Sequence, residues 1–127
     1  MYPDDLKYHK DHMWLHANGN KAKIGITHYA QEQLGDIVYV ELPETGSEVK
    51  MNAIIGEIES TKTTSAIEAP VGGKIVEVNN ALGDTPEVIN EDSYGKGWIA
   101  VIEMGNTEDI NHLMDSREYQ NYIEEVK

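Results

Sequence analysis

Apolar and polar positions alternate through much of the chain between residues 21 and 104, and a period of two predicts strands. Lys21-Ala22-Lys23-Ile24-Gly25-Ile26 alternates strictly and reads as a half-buried strand. Asp36 to Leu42 (DIVYVEL) is β-branched and aromatic, which predicts a more deeply buried strand. Pro43 and Glu44-Thr45-Gly46-Ser47 then mark a turn. Asn52 to Ser60 is the next strand. Ser65 to Val71 and Lys74 to Val78 follow, split by Gly72-Gly73, and Gly97 to Met104 reads as a final strand buried on both faces. Ahead of these, the chain around His9 to His16 reads as strand running into an Asn18-Gly19-Asn20 turn. Helices are few. Thr27 is an N-cap for His28 to Leu34, and Gly35 suits its C-terminal cap. In the tail, Thr107-Glu108-Asp109-Ile110 opens a short helix with acids in its first turn. Asp115 or Ser116 caps another running to about Val126. Its Tyr119, Tyr122, Ile123 and Val126 lie at helical spacing and predict packing against the sheet.

The segments Val49–Ser60 and Ser65–Val78 echo one another, each a strand, a glycine and a second apolar run. They flank Thr61-Lys62-Thr63. Two such pairs meeting at a tight turn predict a small flattened barrel or sandwich with a lysine at one tip. Lys62 is the only basic residue between Lys50 and Lys74, and its neighbours Ser60, Thr61, Thr63, Thr64 and Ser65 are small and hydroxylic. Such a tip presents an amine to a modifying enzyme without obstruction.

Composition narrows the chemistry. The 127 residues fit one domain spanning 1–127, with a helical tail at about 106–126. Cysteine is absent, so disulfides, cysteine nucleophiles and iron–sulfur clusters are excluded. The formal charge is −13, from 23 acidic and 10 basic side chains. That balance opposes binding to nucleic acid or to an anionic membrane surface. No apolar run approaches the ~20 residues that span a bilayer. The acidic start, Met1-Tyr2-Pro3-Asp4-Asp5, is not a secretory signal, so a cytoplasmic location is expected. His9, His12 and His16, with Asp11, define a metal-binding alternative for a β protein without any arm. Serine, histidine and aspartate all occur, but no G-x-S-x-G elbow does. Trp14, Trp98 and Tyr94 read as core or cleft walls, with Gly95 and Gly97 turning into the last strand.

Glu59-Ser60-Thr61-Lys62-Thr63-Thr64-Ser65 resembles the lipoylation motif of the glycine cleavage system H proteins. The resemblance continues in order through Lys7-Tyr8-x-x-x-His12-x-Trp14, Ile24 to Gln31, Leu34-Gly35-Asp36, Val40-Glu41-Leu42-Pro43, Gly73 to Asn79 and Asn90 to Trp98. It covers nearly the whole chain, including C-terminal helices that plain lipoyl domains usually lack. Thr61 and Thr63 do not match the methionines that flank the lysine of biotinyl domains. Two positions depart from the family pattern: Met13 stands where glutamate is common, and Thr61 where valine is usual.

The resemblance implies an all-β barrel-sandwich hybrid of the lipoyl/biotinyl type, with minor α content and the lysine at a hairpin tip. It implies a carrier that is not itself an enzyme, with lipoic acid joined covalently to Lys62. Glu59, Ser60, Thr61 and Ser65, with Glu57, are candidates for recognition by a lipoate ligase or lipoyl transferase. The implied partners are glycine decarboxylase, which loads an aminomethyl group, an aminomethyltransferase, which removes it, and dihydrolipoamide dehydrogenase, which reoxidises the arm. The implied alternative within the same fold is a paralogue that acts as a lipoyl reservoir or relay. In a carrier, the hard chemistry belongs to the cofactor and its partners, and the tether raises effective concentration at each site. From Glu77 to Glu125 there are twelve acidic and two basic residues, an acidic field suited to steering encounter with basic partner surfaces.

Overall fold

The computed structural model describes residues 2–126, arranged as two β-sheets with short helices. The larger sheet contains β1 (Lys7–Tyr8), β2 (Met13–Asn18), β3 (Lys21–Ile26), β5 (Glu48–Val49), β8 (Gly73–Val78) and β9 (Ala100–Met104), in the order β1-β2-β3-β9-β8-β5. The smaller contains β4 (Ile37–Glu41), β6 (Ile54–Ser60) and β7 (Thr64–Glu68), in the order β4-β6-β7. Every pairing is antiparallel. The helices are α1 (His28–Leu34), α2 (Val88–Glu91) and α3 (Ser116–Val126), with 3-10 turns at Asn80–Gly83 and Thr107–His112.

The alternation in the sequence explains the sandwich. Leu15, Ala22, Ile24, Ile75 and Ile102 of the larger sheet join Val40, Ile58 and Ile67 of the smaller in one buried core. The internal echo is also real in space. β6 pairs with β7 and β5 with β8, so the two halves nest around the Lys62 turn. The outer face of the larger sheet carries a second cluster at its β1–β2 end. Trp14, Leu6, Tyr8, Tyr119 and Ile123 pack there, and Tyr8 stacks on Tyr119 with ring centroids 4.8 Å apart. With no phenylalanine in the chain, these aromatic clusters are built largely from tyrosines, whose hydroxyls must be satisfied.

Several expectations need correction. The 36–42 segment is not deeply buried: β4 is an edge strand with a register shift between Ile37 and Tyr39, so Val38 and Tyr39 are 53% and 51% exposed. The strand expected from Asn52 begins at Ile54, because Asn52 takes φ +71° in a turn. The last strand begins at Ala100 and not Gly97, since residues 93–97 form turns. Glu103 on it is exposed, so its two faces are not both fully buried. The tail helix packs on β1 and the N-terminal segment, while Val126 falls off the stripe and is exposed. Its cap is Asp115: Oδ1 accepts the Glu118 N–H at 2.8 Å, and Glu118 Oε1 accepts the Asp115 N–H at 3.0 Å. Ser116 instead donates to Asp4 Oδ1 at 2.6 Å. The first tail element is a 3-10 turn rather than an α-helix. Among the described residues no helix is long and apolar enough to cross a membrane.

Candidate functional site: a lysine hairpin beside an apolar cleft

β6 and β7 pair as far as Glu59↔Thr64, leaving Lys62 exposed in the connecting turn. The turn is held from within by Ser60. Its Oγ accepts the N–H groups of Lys62 and Thr63, each at 3.1 Å, and donates to the Thr63 carbonyl at 3.1 Å. The Ser60 N–H reaches the Thr63 carbonyl at 2.8 Å. The remaining tip amide, Thr61, donates to the Asp36 carbonyl at 3.0 Å. The hairpin therefore leans on the segment that leaves α1.

That segment is itself pinned. Thr27 caps α1 by accepting the Ala30 N–H at 3.2 Å. Gly35 ends the helix at φ +81°, ψ −153°, a conformation open essentially only to glycine. A Cβ there would stand 2.8 Å from Lys62 Cε, so the lysine stem lies across this glycine. Asn90 of α2 fixes the exit: Oδ1 accepts the Ile37 N–H, and Nδ2 donates to the Gly35 carbonyl and to Gln31 Oε1, all at 2.9 Å. Sequence reasoning placed Asn90 in a motif without a role. Its three partners, 53 to 59 residues away, left no local signal.

A cleft of about 340 Å³ opens beside the hairpin. Thr63, Thr64, Ser65 and Ala66 form one wall, α1 contributes Tyr29, Ala30, Gln33 and Leu34, and Asp11, His12 and Met13 approach from the start of β2. Ile26 and Ile58 complete the apolar lining. This wall chemistry fits an aliphatic, sulfur-ended arm, whose methylenes need apolar contact and whose tip needs a few polar groups. Met13 is 1% exposed, so its side chain is core as well as cleft wall. Ser65 lies at the cleft. Glu59 is exposed and lies between Tyr39 and Thr64 across the sheet, and Glu57 lies likewise between Glu41 and Ala66. The like-charged Glu41 and Glu57 sit directly opposite one another, which opposes sheet stability.

The three histidines do not converge. His9 is buried and its Nε2 lies 2.6 Å from Asn52 Oδ1; His12 Nδ1 meets the Tyr119 hydroxyl at 2.8 Å; His16 is exposed on β2 opposite Lys23. Among the described residues no group of three or more His, Asp or Glu is placed to hold a metal. Glu68 lies beside Asp11. Desolvation first, then the neighbouring Asp11 carboxylate, pushes the Glu68 carboxyl above the usual range. His12 is pushed down by burial, the largest effect, while Asp11 favours its cation and His9 opposes it. Trp14 donates from Nε1 to the Ser93 carbonyl at 2.9 Å, and Tyr94 accepts the His28 N–H at 2.9 Å while burial pushes its hydroxyl up to about 12. Both aromatics hold the scaffold behind the cleft.

A two-sheet sandwich that offers one exposed lysine on a braced turn, next to a cleft able to shelter a long side chain, has the architecture of a carrier domain. The glycine cleavage H-protein family model matches residues 6–126. The glycine cleavage system H protein of Symbiobacterium thermophilum is 48% identical over 123 residues, covering 97% of this chain and 96% of the relative. That of Bacillus subtilis is 47% identical over 123 residues, covering 97% of each. The crystal structure of the Mycobacterium marinum H protein superimposes with a TM-score of 0.83 at 41% identity, covering 94% of this chain and 96% of that one. The chain belongs to the glycine cleavage H-protein family, and its role is that of the lipoyl carrier in glycine cleavage.

Proposed function

We propose that Lys62 is the lipoyl attachment residue and that the cleft beginning at Thr63 shelters the arm. The observation that carries this is the geometry of the tip: all three N–H groups from Thr61 to Thr63 are held, the lysine is exposed, and its stem lies over Gly35. A fixed backbone presents one amine in one place to the attaching enzyme. When bound, the lipoyl group supplies a redox-active dithiolane that takes up the one-carbon cargo. The chain's own residues bind, shield and orient. Met13, Ile26, Ala30, Leu34 and Ile58 exclude water from the cleft, while Asp11, His12, Tyr29 and Gln33 supply its polar groups.

Ser60 shapes the turn, and Glu59 with Glu57, Glu41 and Thr61 forms the surface a lipoate ligase or lipoyl transferase meets. Glycine decarboxylase, aminomethyltransferase and dihydrolipoamide dehydrogenase then use the arm in turn, in the cytoplasm, and the protein itself does no catalysis. The acidic stretch from Glu77 onward steers these encounters, so transfer rates fall with added salt.

Expression with lipoate and its ligase, followed by intact-mass measurement, tests the attachment. The expected result is one lipoyl increment that vanishes in Lys62→Ala. No increment in the wild type, or an increment that survives Lys62→Ala, removes the assignment.

A further inference from the structure

We infer that His12 is a fixed hydrogen-bond donor in the arm cleft, its proton held on Nε2 by a chain of two buried hydroxyls, and that its acceptor is the sulfur end of the reduced arm. The inference rests on the reading that Lys62 carries that arm.

The proton positions follow from counting donors and acceptors. Thr27 is fully buried, and its Oγ1 already accepts the Ala30 N–H. Its own proton needs an acceptor. Among the described residues the one within reach is the Tyr119 hydroxyl oxygen, at 2.8 Å. Tyr119, also fully buried, has a single proton and a second neighbour, His12 Nδ1, at 2.8 Å. Thr27 therefore donates to Tyr119 and Tyr119 donates to His12. The reverse direction strands the Thr27 proton in a buried site, the costly arrangement for any hydroxyl. With Nδ1 accepting, the neutral imidazole carries its proton on Nε2. The cleft is offered an N–H and no lone pair.

The rest of the environment holds this state. The His12 backbone sits at φ +70°, a sparsely populated region for a side-chain-bearing residue. Its N–H donates to the His9 carbonyl at 2.9 Å, and its carbonyl accepts the Thr27 N–H at 3.0 Å. Tyr29 of α1 packs on the ring at 4.7 Å between centroids, and Tyr122 of α3 lies at 6.1 Å. Of the charged neighbours, Asp11 favours a cation and His9 opposes it, while burial favours the neutral ring. A neutral ring in this chain cannot act as a base through Nε2. It can hydrogen-bond an anion, and Met13, Ile26, Ala30, Leu34 and Ile58 of the cleft wall offer that anion no competing side-chain donor. A thiolate is the strong acceptor that a reduced lipoyl arm offers. Donation to it favours the ionised sulfur, the nucleophilic form. Tyr119 is then a positioning residue, acting on the cleft through His12 from the C-terminal helix.

Nitrogen-15 NMR of the unmodified wild-type protein reads the tautomer without any variant: Nε2 protonated and Nδ1 bare at neutral pH. Tyr119→Phe removes the lock, and the two ring nitrogens share the proton. In lipoylated, reduced protein, thiolate absorbance against pH shows about tenfold more thiolate at a given pH than free dihydrolipoamide, one pKa unit. His12→Phe abolishes the difference, and Tyr119→Phe reduces it while keeping the imidazole. A protonated Nδ1 in the wild type overturns the inference, as does a thiolate titration that His12→Phe leaves unchanged. A missing lipoyl increment on Lys62 overturns the attachment reading on which it rests. An increment present with an unshifted titration overturns this inference alone.

Discussion

Replacing Asn90 by alanine tests whether the Lys62 turn is braced from a distance. The amide makes three 2.9 Å hydrogen bonds, to the Ile37 N–H, the Gly35 carbonyl and Gln31 Oε1. Ile37 and Gln31 are 2% and 8% exposed, so water does not freely replace the lost partner. At about 1 kcal/mol for each bond, with the stranded groups keeping the total from being smaller, the loss is about 3 kcal/mol. For a chain of 127 residues that is a fall in Tm of about 12 °C. With an m-value of about 1.5 kcal/mol/M, the urea midpoint falls by roughly 2 M. Stability alone does not isolate the brace. The Thr61 amide does, because it bonds the Asp36 carbonyl in the middle of the segment that Asn90 pins. Hydrogen exchange at Thr61 accelerates in Asn90→Ala by more than the global loss of stability accounts for. A destabilisation below about 1 kcal/mol, or Thr61 exchange that merely tracks global unfolding, refutes the reasoning.

Three further outcomes follow from single sites. Gly25→Ala places a Cβ 2.6 Å from Trp14 Nε1, displaces the buried indole and costs about 2–4 kcal/mol, visible as a lower thermal midpoint; an unchanged midpoint contradicts the packing described. Ser60→Ala frees the Lys62 and Thr63 amides, so their exchange speeds up and lipoylation slows while the global Tm moves by only a few degrees; unchanged amide exchange removes Ser60 from the turn's support. Glu68 has a raised folded pKa, so the folded state favours its neutral form, and its contribution is present at low pH and lost as pH rises through the folded value. Glu68→Gln therefore raises Tm at about pH 7 and not at about pH 4, and an equal shift at both pH values refutes the raised carboxyl that burial and the Asp11 contact produce.

The parts of the fold that sequence alone revealed are those with local causes. The Lys21–Ile26 alternation, the Thr27 and Gly35 caps of α1 and the turn at Lys62 each depend on neighbours within a few residues. The burial of Met13, Trp14 and Leu15 in succession broke the alternation of β2, because Trp14 faces the tyrosine cluster while its neighbours face the sandwich core. β1 and β5 are two residues long and have no period to read. Val38 and Tyr39 look like core residues by type, and only the position of β4 at a sheet edge exposes them. Around the hairpin, the turn that exposes Lys62 was legible, but the cleft beside it was not. Its His12–Tyr119 contact spans 107 residues and pairs residue types whose usual roles are a surface imidazole and a core aromatic. An asparagine such as Asn90 carries even less signal, since its significance lies wholly in the three backbone and side-chain groups it finds.

The held amides at Thr61, Lys62 and Thr63 have a geometric consequence. A loose loop would let the attachment point wander, and the arm's reach would blur with it. With the arm on Lys62, as proposed above, the Lys62 Cα would be its pivot, and the free end of the fully extended arm would trace a shell of constant radius about it. The cleft starts at the next residue, so an arm sheltered there would rest inside that shell and extend toward its surface to work. Enzymes with unrelated folds can then share one carrier by satisfying one distance. Each must bring its reactive centre to the same radius from the same point, and none needs to reshape the hairpin to do so.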